Sequence, residues 1–112
     1  MKYYHNLYVN EELLEKKEEI LYKLEHDIIQ LNKYVIVLSR NGNNQLEFYN
    51  SSMLLQKYYK MQEPMIVGIA DGFDGALLLI EEITQEVYEE TKCADIRTWL
   101  TKKQREFEEG KI

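Results

Sequence analysis

The sequence has one cysteine, one proline and only five glycines among its 112 residues. A single cysteine forms no intramolecular disulfide, which argues against the stapled domains of small secreted proteins. Few prolines and glycines leave little sequence for linkers, so we expect one domain over residues 1–112. No apolar run approaches the roughly 18 residues of a membrane span, and no apolar segment follows Lys2. These features predict a cytoplasmic protein with no membrane association.

The chain carries 20 acidic and 14 basic residues, a net charge of −6, with the two signs interspersed. Because phosphate neutralisation needs clustered Lys and Arg, we expect no nucleic-acid partner. His5 and His26 are far apart and belong to no metal-spaced cluster, so we predict neither a metal nor a cofactor. Cys93 adjoins Lys92 but has no assigned base, which favours a small core residue over a nucleophile. We therefore assign no catalytic residue and favour a protein that is not an enzyme.

Two N-terminal segments precede the first apolar run. Residues 1–9 alternate weakly and are interpreted as either a short edge strand or a frayed arm. Asn10 is a good N-cap for a long amphipathic helix over residues 10–33. Heptad a and d positions of that helix carry Leu14, Leu21, Leu24, Ile28 and Leu31. So short a stripe favours packing within one domain over a coiled coil.

The remaining pattern predicts an α/β protein, with α+β as the alternative. The predicted elements are a strand over 34–38, a hairpin turn at Asn41-Gly42, a strand over 45–49, a short helix over 51–61, a strand over 65–70, a helix to about Thr91 and a last helix from about Ala94 to Phe107. The order is α-β-β-α-β-α-α, with a three-stranded sheet and about four helices on both its faces, because two strands are apolar throughout. One core should contain Ile36, Leu54, Val67, Leu78, Ile80 and Trp99.

The turn after the third strand is the most suggestive candidate for ligand binding. Ala70, Gly72 and Gly75 have the spacing of a dinucleotide fingerprint, where backbone N–H groups meet phosphate. However, its first position is alanine, and two aspartates would repel phosphate. The alternative is structural: Gly72 takes a left-handed conformation while Asp71 or Asp74 caps the helix. If the second and third strands are parallel, a second helix start reaches the same edge of the sheet. The predicted site is Ser51, Ser52, Asp71, Gly72, Asp74 and Gly75.

Other features indicate an interaction surface. Nine tyrosines, a residue type that favours interfaces, accompany four glutamates along the long helix. Those glutamates are interpreted as offset by bases of the last helix, as simply solvated, or as a docking face for a basic partner. An apolar strand at the rim of a three-stranded sheet predicts a two-fold homodimer. The predicted interface is Leu14, Leu21, Leu24, Ile28, Leu31, Tyr58 and Tyr59.

Two functions therefore stay open. The first is a non-catalytic protein–protein interaction or regulatory module that self-associates. The second is a small-molecule or nucleotide-binding domain built on the turn from Asp71 to Gly75. A concave polar cavity at the turn favours the second, and an exposed apolar patch favours the first. The stretch from Met65 to Glu82 is typical of bacterial α/β proteins in general and indicates no named family.

Overall fold

The computed structural model describes residues 2–38, 46–57, 61 and 63–112. The elements are β1 (Lys2–Val9), a first 3-10 helix (Glu11–Lys16), α1 (Lys17–Glu25), β2 (Lys33–Leu38), β3 (Leu46–Asn50), a second 3-10 helix (Ser51–Leu55), β4 (Met65–Asp71), α2 (Gly72–Thr91) and α3 (Ile96–Glu108). Within these residues the fold is mixed α+β, with four strands and three α-helices. The α/β class is therefore confirmed in outline, while the predicted three strands and four helices are wrong in detail.

The four strands form one sheet in the order β1-β4-β2-β3. Residues 2–9, which the sequence left open, form an edge strand parallel to β4. Strands β2 and β3 pair antiparallel, with Ile36 opposite Phe48, as the predicted hairpin requires. The turn at 41–42 lies outside the described residues. Because β1 and β3 take the two edges, the apolar strands β2 and β4 are central, and the predicted apolar rim strand is wrong.

As predicted, helical segments cover both faces of this sheet. The buried side chains of β2 therefore alternate between two cores. Ile36 faces one core, and Val35 and Val37 face the other. The first core holds Tyr4, Ile36, Leu38, Val67, Ala70, Ala76, Leu79, Ile83, Val87, Ile96 and Leu100. The second core holds Leu13, Ile20, Leu24, Val35, Val37, Leu54, Ile66 and Ile69. Helices α2 and α3 thus cover the first face, and the N-terminal helical segments cover the second.

Because the sheet separates two cores, the prediction of a single core is wrong. Ile36 and Val67 are buried in the first core, with Ile80 and Trp99 packed against it. Leu54 belongs to the second core, on the other side of the sheet. Leu78 is 51% exposed, so its predicted burial is wrong. An all-apolar run in a helix hides its inward face, and here a sheet covers only one side of α2.

The first helix is much shorter than the predicted span of 10–33. Its first turns are 3-10 helix, and α1 ends at Glu25. Beyond it, Asp27 and Asn32 adopt φ of 57° and 56°, left-handed conformations that asparagine and aspartate tolerate better than most residues. The buried residues of this segment are Leu13, Ile20 and Leu24. Leu24 belongs to the predicted heptad, whereas Leu13 and Ile20 lie one position before Leu14 and Leu21.

Candidate functional site

The turn that joins β4 to α2 contains most of the predicted ligand site. Gly72 has φ of 78°, which confirms the left-handed conformation expected there. Asp71 occupies the N-cap position, but its side chain makes no capping hydrogen bond. Instead its Oδ1 lies 3.2 Å from Lys33 Nζ, an ion pair between neighbouring strands. The Asp71 carboxylate is therefore held by the protein itself.

Asn10 closes this turn from the end of β1. Asn10 is predicted to cap the first helix, yet its side chain makes no capping hydrogen bond. It is buried, and its Oδ1 accepts from the Asp71 N–H at 2.7 Å while its Nδ2 donates to the Gly75 carbonyl at 3.2 Å. The Gly72 N–H donates to the Asn32 carbonyl at 2.8 Å. Two N–H groups that a phosphate would use at this turn are already bonded within the chain.

The second helix start reaches the same end of the sheet. Tyr34 pairs with both Asn50 and Ala70, so β3 and β4 end on either side of β2. Asn50 caps the second 3-10 helix, its Oδ1 accepting from the Ser52 N–H at 3.0 Å. However, that helix leads into the second core and α2 leads into the first. Ser51–Ser52 and Asp71–Gly72 thus share an end of the sheet, but the helices they start lie on opposite faces.

A polar cavity of about 460 Å³ adjoins the turn on the second face. Its charged lining residues are Glu12, Lys16, Glu19, Lys23, Lys33 and Asp71. Three cations and three carboxylates balance, and two ion pairs already join them: Lys33 with Asp71, and Lys23 with Glu19 at 3.1 Å. The cavity is concave, as a ligand site requires, but its charges largely satisfy one another.

An apolar patch lies on the first face, beside the edge strand β3. We define the patch by Phe48, Phe73 and Leu77. Phe73 is 53% exposed, and its ring lies edge-on 5.4 Å from the Phe48 ring. Leu77, one helical turn after Phe73, is 46% exposed. Helix α2 packs on β4 and β2 while α3 packs on β1, and the residues of β3 are only partly buried.

The outer side of α2 turns acidic beyond this patch. Its exposed carboxylates are Glu81, Glu82, Glu86, Glu89 and Glu90. Among the residues the structure describes, none of them forms an ion pair with a base of α3. Glu86 accepts from the Tyr8 hydroxyl at 2.7 Å. The predicted neutralisation of these glutamates by bases of α3 is therefore not formed. Solvation and a basic partner remain as the two interpretations of this acidic side.

Tyrosines of β1 connect the strand to both helical layers, a role that sequence analysis missed. Tyr8 donates to Glu86 of α2, and Tyr3 donates to Glu25 of α1 at 2.6 Å. Burial, then the hydrogen bond to its glutamate, raises the pKa of each phenol well above the usual value. Burial followed by the nearby Glu86 raises the pKa of Tyr4 to about 12. All three phenols therefore stay neutral at physiological pH, and those of Tyr3 and Tyr8 donate hydrogen bonds within the chain.

The predicted interface residues are scattered in the structure. Leu24 is buried in the second core and Leu21 packs against it. Leu14, Ile28 and Leu31 are 56%, 44% and 85% exposed. Tyr58 and Tyr59 lie outside the described residues. The predicted stripe is thus divided between the protein's own core and solvent.

The side chains considered for chemistry give little support for catalysis. Cys93 is exposed, so its predicted place in the core is wrong. His5 stacks on Phe107 with centroids 4.7 Å apart, and His26 stacks on Tyr22 at 4.0 Å. The described part of the chain contains no group of three His, Cys, Asp or Glu side chains suited to a metal ion. Nor does it contain a helix long and apolar enough to cross a membrane. Comparison with protein-family models, curated proteins and solved structures found no match for this chain.

Proposed function

We propose that this chain is a non-catalytic protein-interaction module that binds its partner on the apolar patch of α2 and β3. The observation that carries the proposal is the exposure of Phe73 and Leu77, which are four residues apart and therefore lie on the same side of α2. A contiguous exposed apolar patch of this kind marks interaction sites. Aromatic anchors such as Phe73, held in place by neighbouring rings, lose little entropy on binding.

The charge of α2 supports one class of partner. From Phe73 to Glu89 the helix rises about 24 Å, with Phe73 and Leu77 exposed in its first half and most of its exposed carboxylates in its second. A complementary segment has apolar side chains at one end and Lys or Arg at the other. We therefore propose a basic amphipathic segment of another protein as the occupant. Charge complementarity would also steer its approach.

The alternative function, small-molecule binding at Asp71–Gly75, has weaker support. The cavity beside Asp71 is concave and polar, in favour of a ligand. Against it, the N–H groups of Asp71 and Gly72 are occupied by Asn10 and Asn32. An incoming anion would have to displace those bonds and meet the Asp71 carboxylate. The apolar patch has no such competition.

Peptide titration tests the interaction proposal. The probes are two synthetic amphipathic helices with identical leucines, one carrying lysines and the other glutamates at the polar positions. The lysine peptide should bind, more weakly as salt is added, because ion pairing at an exposed surface is screened. In the Leu77→Lys variant we expect affinity about tenfold lower, or ~1.4 kcal/mol.

The matched control is Ile112→Lys, which places the same charge on a residue 56% exposed and away from α2. Its affinity for the lysine peptide should equal that of the parent. Equal binding of both peptides, or equal loss in both variants, would contradict the proposal. Fluorescence anisotropy supplies the affinities and far-ultraviolet circular dichroism checks the fold.

The homodimer is a separate proposal, which three of its predicted residues still support. Leu14, Ile28 and Leu31 are exposed, and burying them against a second copy would remove apolar area from water. Sedimentation velocity at micromolar concentration measures the mass, with a dimer expected in the parent and a loss of it in Leu31→Lys. A monomer of 13.5 kDa with no concentration dependence would rule the dimer out.

A further inference from the structure

A second groove lies at the opposite end of the sheet from the Asp71–Gly75 turn. The register of Met65 with both Lys2 and Leu38 places the start of β1, the end of β2 and the start of β4 together there. Helix α3 forms the other wall. The groove measures about 480 Å³ and is lined by Lys2, Leu38, Glu63, Met65, Arg97, Thr101, Gln104, Arg105 and Glu108. That volume lies within the range of small-molecule sites.

Three basic side chains converge on this groove in a chain whose net charge is −6. Within the described residues, Lys2, Arg97 and Arg105 form no ion pair, although Glu63 and Glu108 line the same space. This differs from the cavity beside Asp71, where lysines and carboxylates are already paired. No contact ion pair among the described residues therefore occupies these cations, although the Asp95 carboxylate lies within range of the Arg97 charge.

Arg97 carries the most specific signal. Its Nη2 is shielded from solvent and has no hydrogen-bond partner among the residues that the structure describes. A guanidinium does not lose its proton in a protein, so this group remains charged and desolvated. Leaving a charged donor unpaired destabilises the fold. An oxyanion bound by the other guanidinium nitrogens would leave Nη2 without an acceptor, but its opposite charge would stabilise the partly desolvated guanidinium.

The other wall residues complete the chemistry. Positions 97, 101, 104, 105 and 108 recur at helical spacing, which places their side chains along one side of α3. Arg97 and Arg105 lie about 12 Å apart along the axis, and long side chains can converge from that separation. The Thr101 hydroxyl and the Glu108 carboxylate can accept from hydroxyl or amino groups. Gln104 is fixed by the His5 backbone N–H, which donates to its Oε1 at 2.7 Å.

We propose that this groove binds a small organic oxyanion, its phosphate or carboxylate group held by Arg97 and Arg105. Arginine forks match both kinds of anion through paired N–H···O bonds. The hydroxyl or amino groups of the ligand would face Glu108 and Thr101. This site is independent of the patch on α2.

Calorimetric titration at low salt tests the site with three probes: inorganic phosphate, adenosine monophosphate and citrate. Saturable binding of at least one probe is expected. Arg97→Gln and Arg105→Gln should each weaken it about tenfold. The control is Lys102→Gln, which removes one positive charge from an exposed position of α3 outside the groove and should leave affinity within about twofold.

Selectivity among the probes identifies the ligand class. Binding of adenosine monophosphate or phosphate but not citrate assigns a phosphorylated ligand, and the reverse assigns a carboxylate ligand. A second variant separates binding from folding: Arg97→Met should abolish binding while the melting temperature stays equal or rises, because it removes an unpaired buried donor. Absence of saturable binding for all three probes, or equal weakening by Lys102→Gln, overturns the proposal.

Discussion

Neighbouring leucines in α2 differ sharply in what they contribute to stability. Leu79 is 1% exposed in the first core, whereas Leu78 is 51% exposed. Leu79→Ala should lower the free energy of unfolding by about 2–5 kcal/mol, because it removes buried methyl groups and leaves a cavity. Leu78→Ala should change it by only about 0.5 kcal/mol. Urea unfolding of both variants measures the difference, and equal losses would contradict the burial of Leu79 and the exposure of Leu78.

Single residues also show where sequence reasoning stops. The left-handed Gly72 follows from a strand-turn-helix pattern, because only local geometry is involved. The role of Asn10 does not, since its partners lie 61 and 65 residues away. A Cβ on Gly75 would lie 2.6 Å from Asn10 Oδ1, so that glycine is required by a tertiary contact. The dinucleotide-like spacing at this turn therefore has a packing explanation.

At the scale of elements, strong periodic patterns were predicted well and weak ones were not. The strands β2 and β4 and the helix α2 were found near their observed positions because their apolar runs are long. Strand β1 was left open because polar and aromatic residues alternate in it, and only pairing with β4 orders it. The end of α1 was missed because apolar Ile28 and Leu31 continue the helical period beyond it, although they are exposed in the loop.

The two candidate sites also differ in how far the sequence could predict them. The α2 patch lies in a run that the sequence marked as apolar, but which side would be exposed depended on where the sheet lay. The Arg97 groove had no signal in the sequence, because its walls come from β1, β2, β4 and α3. Only the strand order brings those elements to one end of the sheet. Contacts between distant elements are not encoded in local periodicity.

At the scale of the whole molecule, the tyrosines of β1 join the sheet to both helical layers. The stability of the fold should therefore fall at alkaline pH. Tyr3, Tyr4 and Tyr8 have raised pKa values in the folded state, that of Tyr4 about 12, against an ordinary value of 10.0. Their contribution to stability is fully present below pH 10, where the phenols are neutral in both states. It is lost as the pH rises from 10 through the folded pKa values, since the unfolded chain releases those protons first.

Two measurements check this dependence. Spectrophotometric titration of the folded protein should show a class of tyrosines, among the nine in the chain, that ionises late or only on unfolding. Urea unfolding should show stability falling above pH 10, less steeply in Tyr8→Phe, because phenylalanine has no proton to lose. The control is Tyr22→Phe, whose side chain is 57% exposed, and which should keep the parental pH slope. Ionisation of all nine tyrosines together near pH 10 in the folded state would show that the β1 phenols are not held as neutral donors.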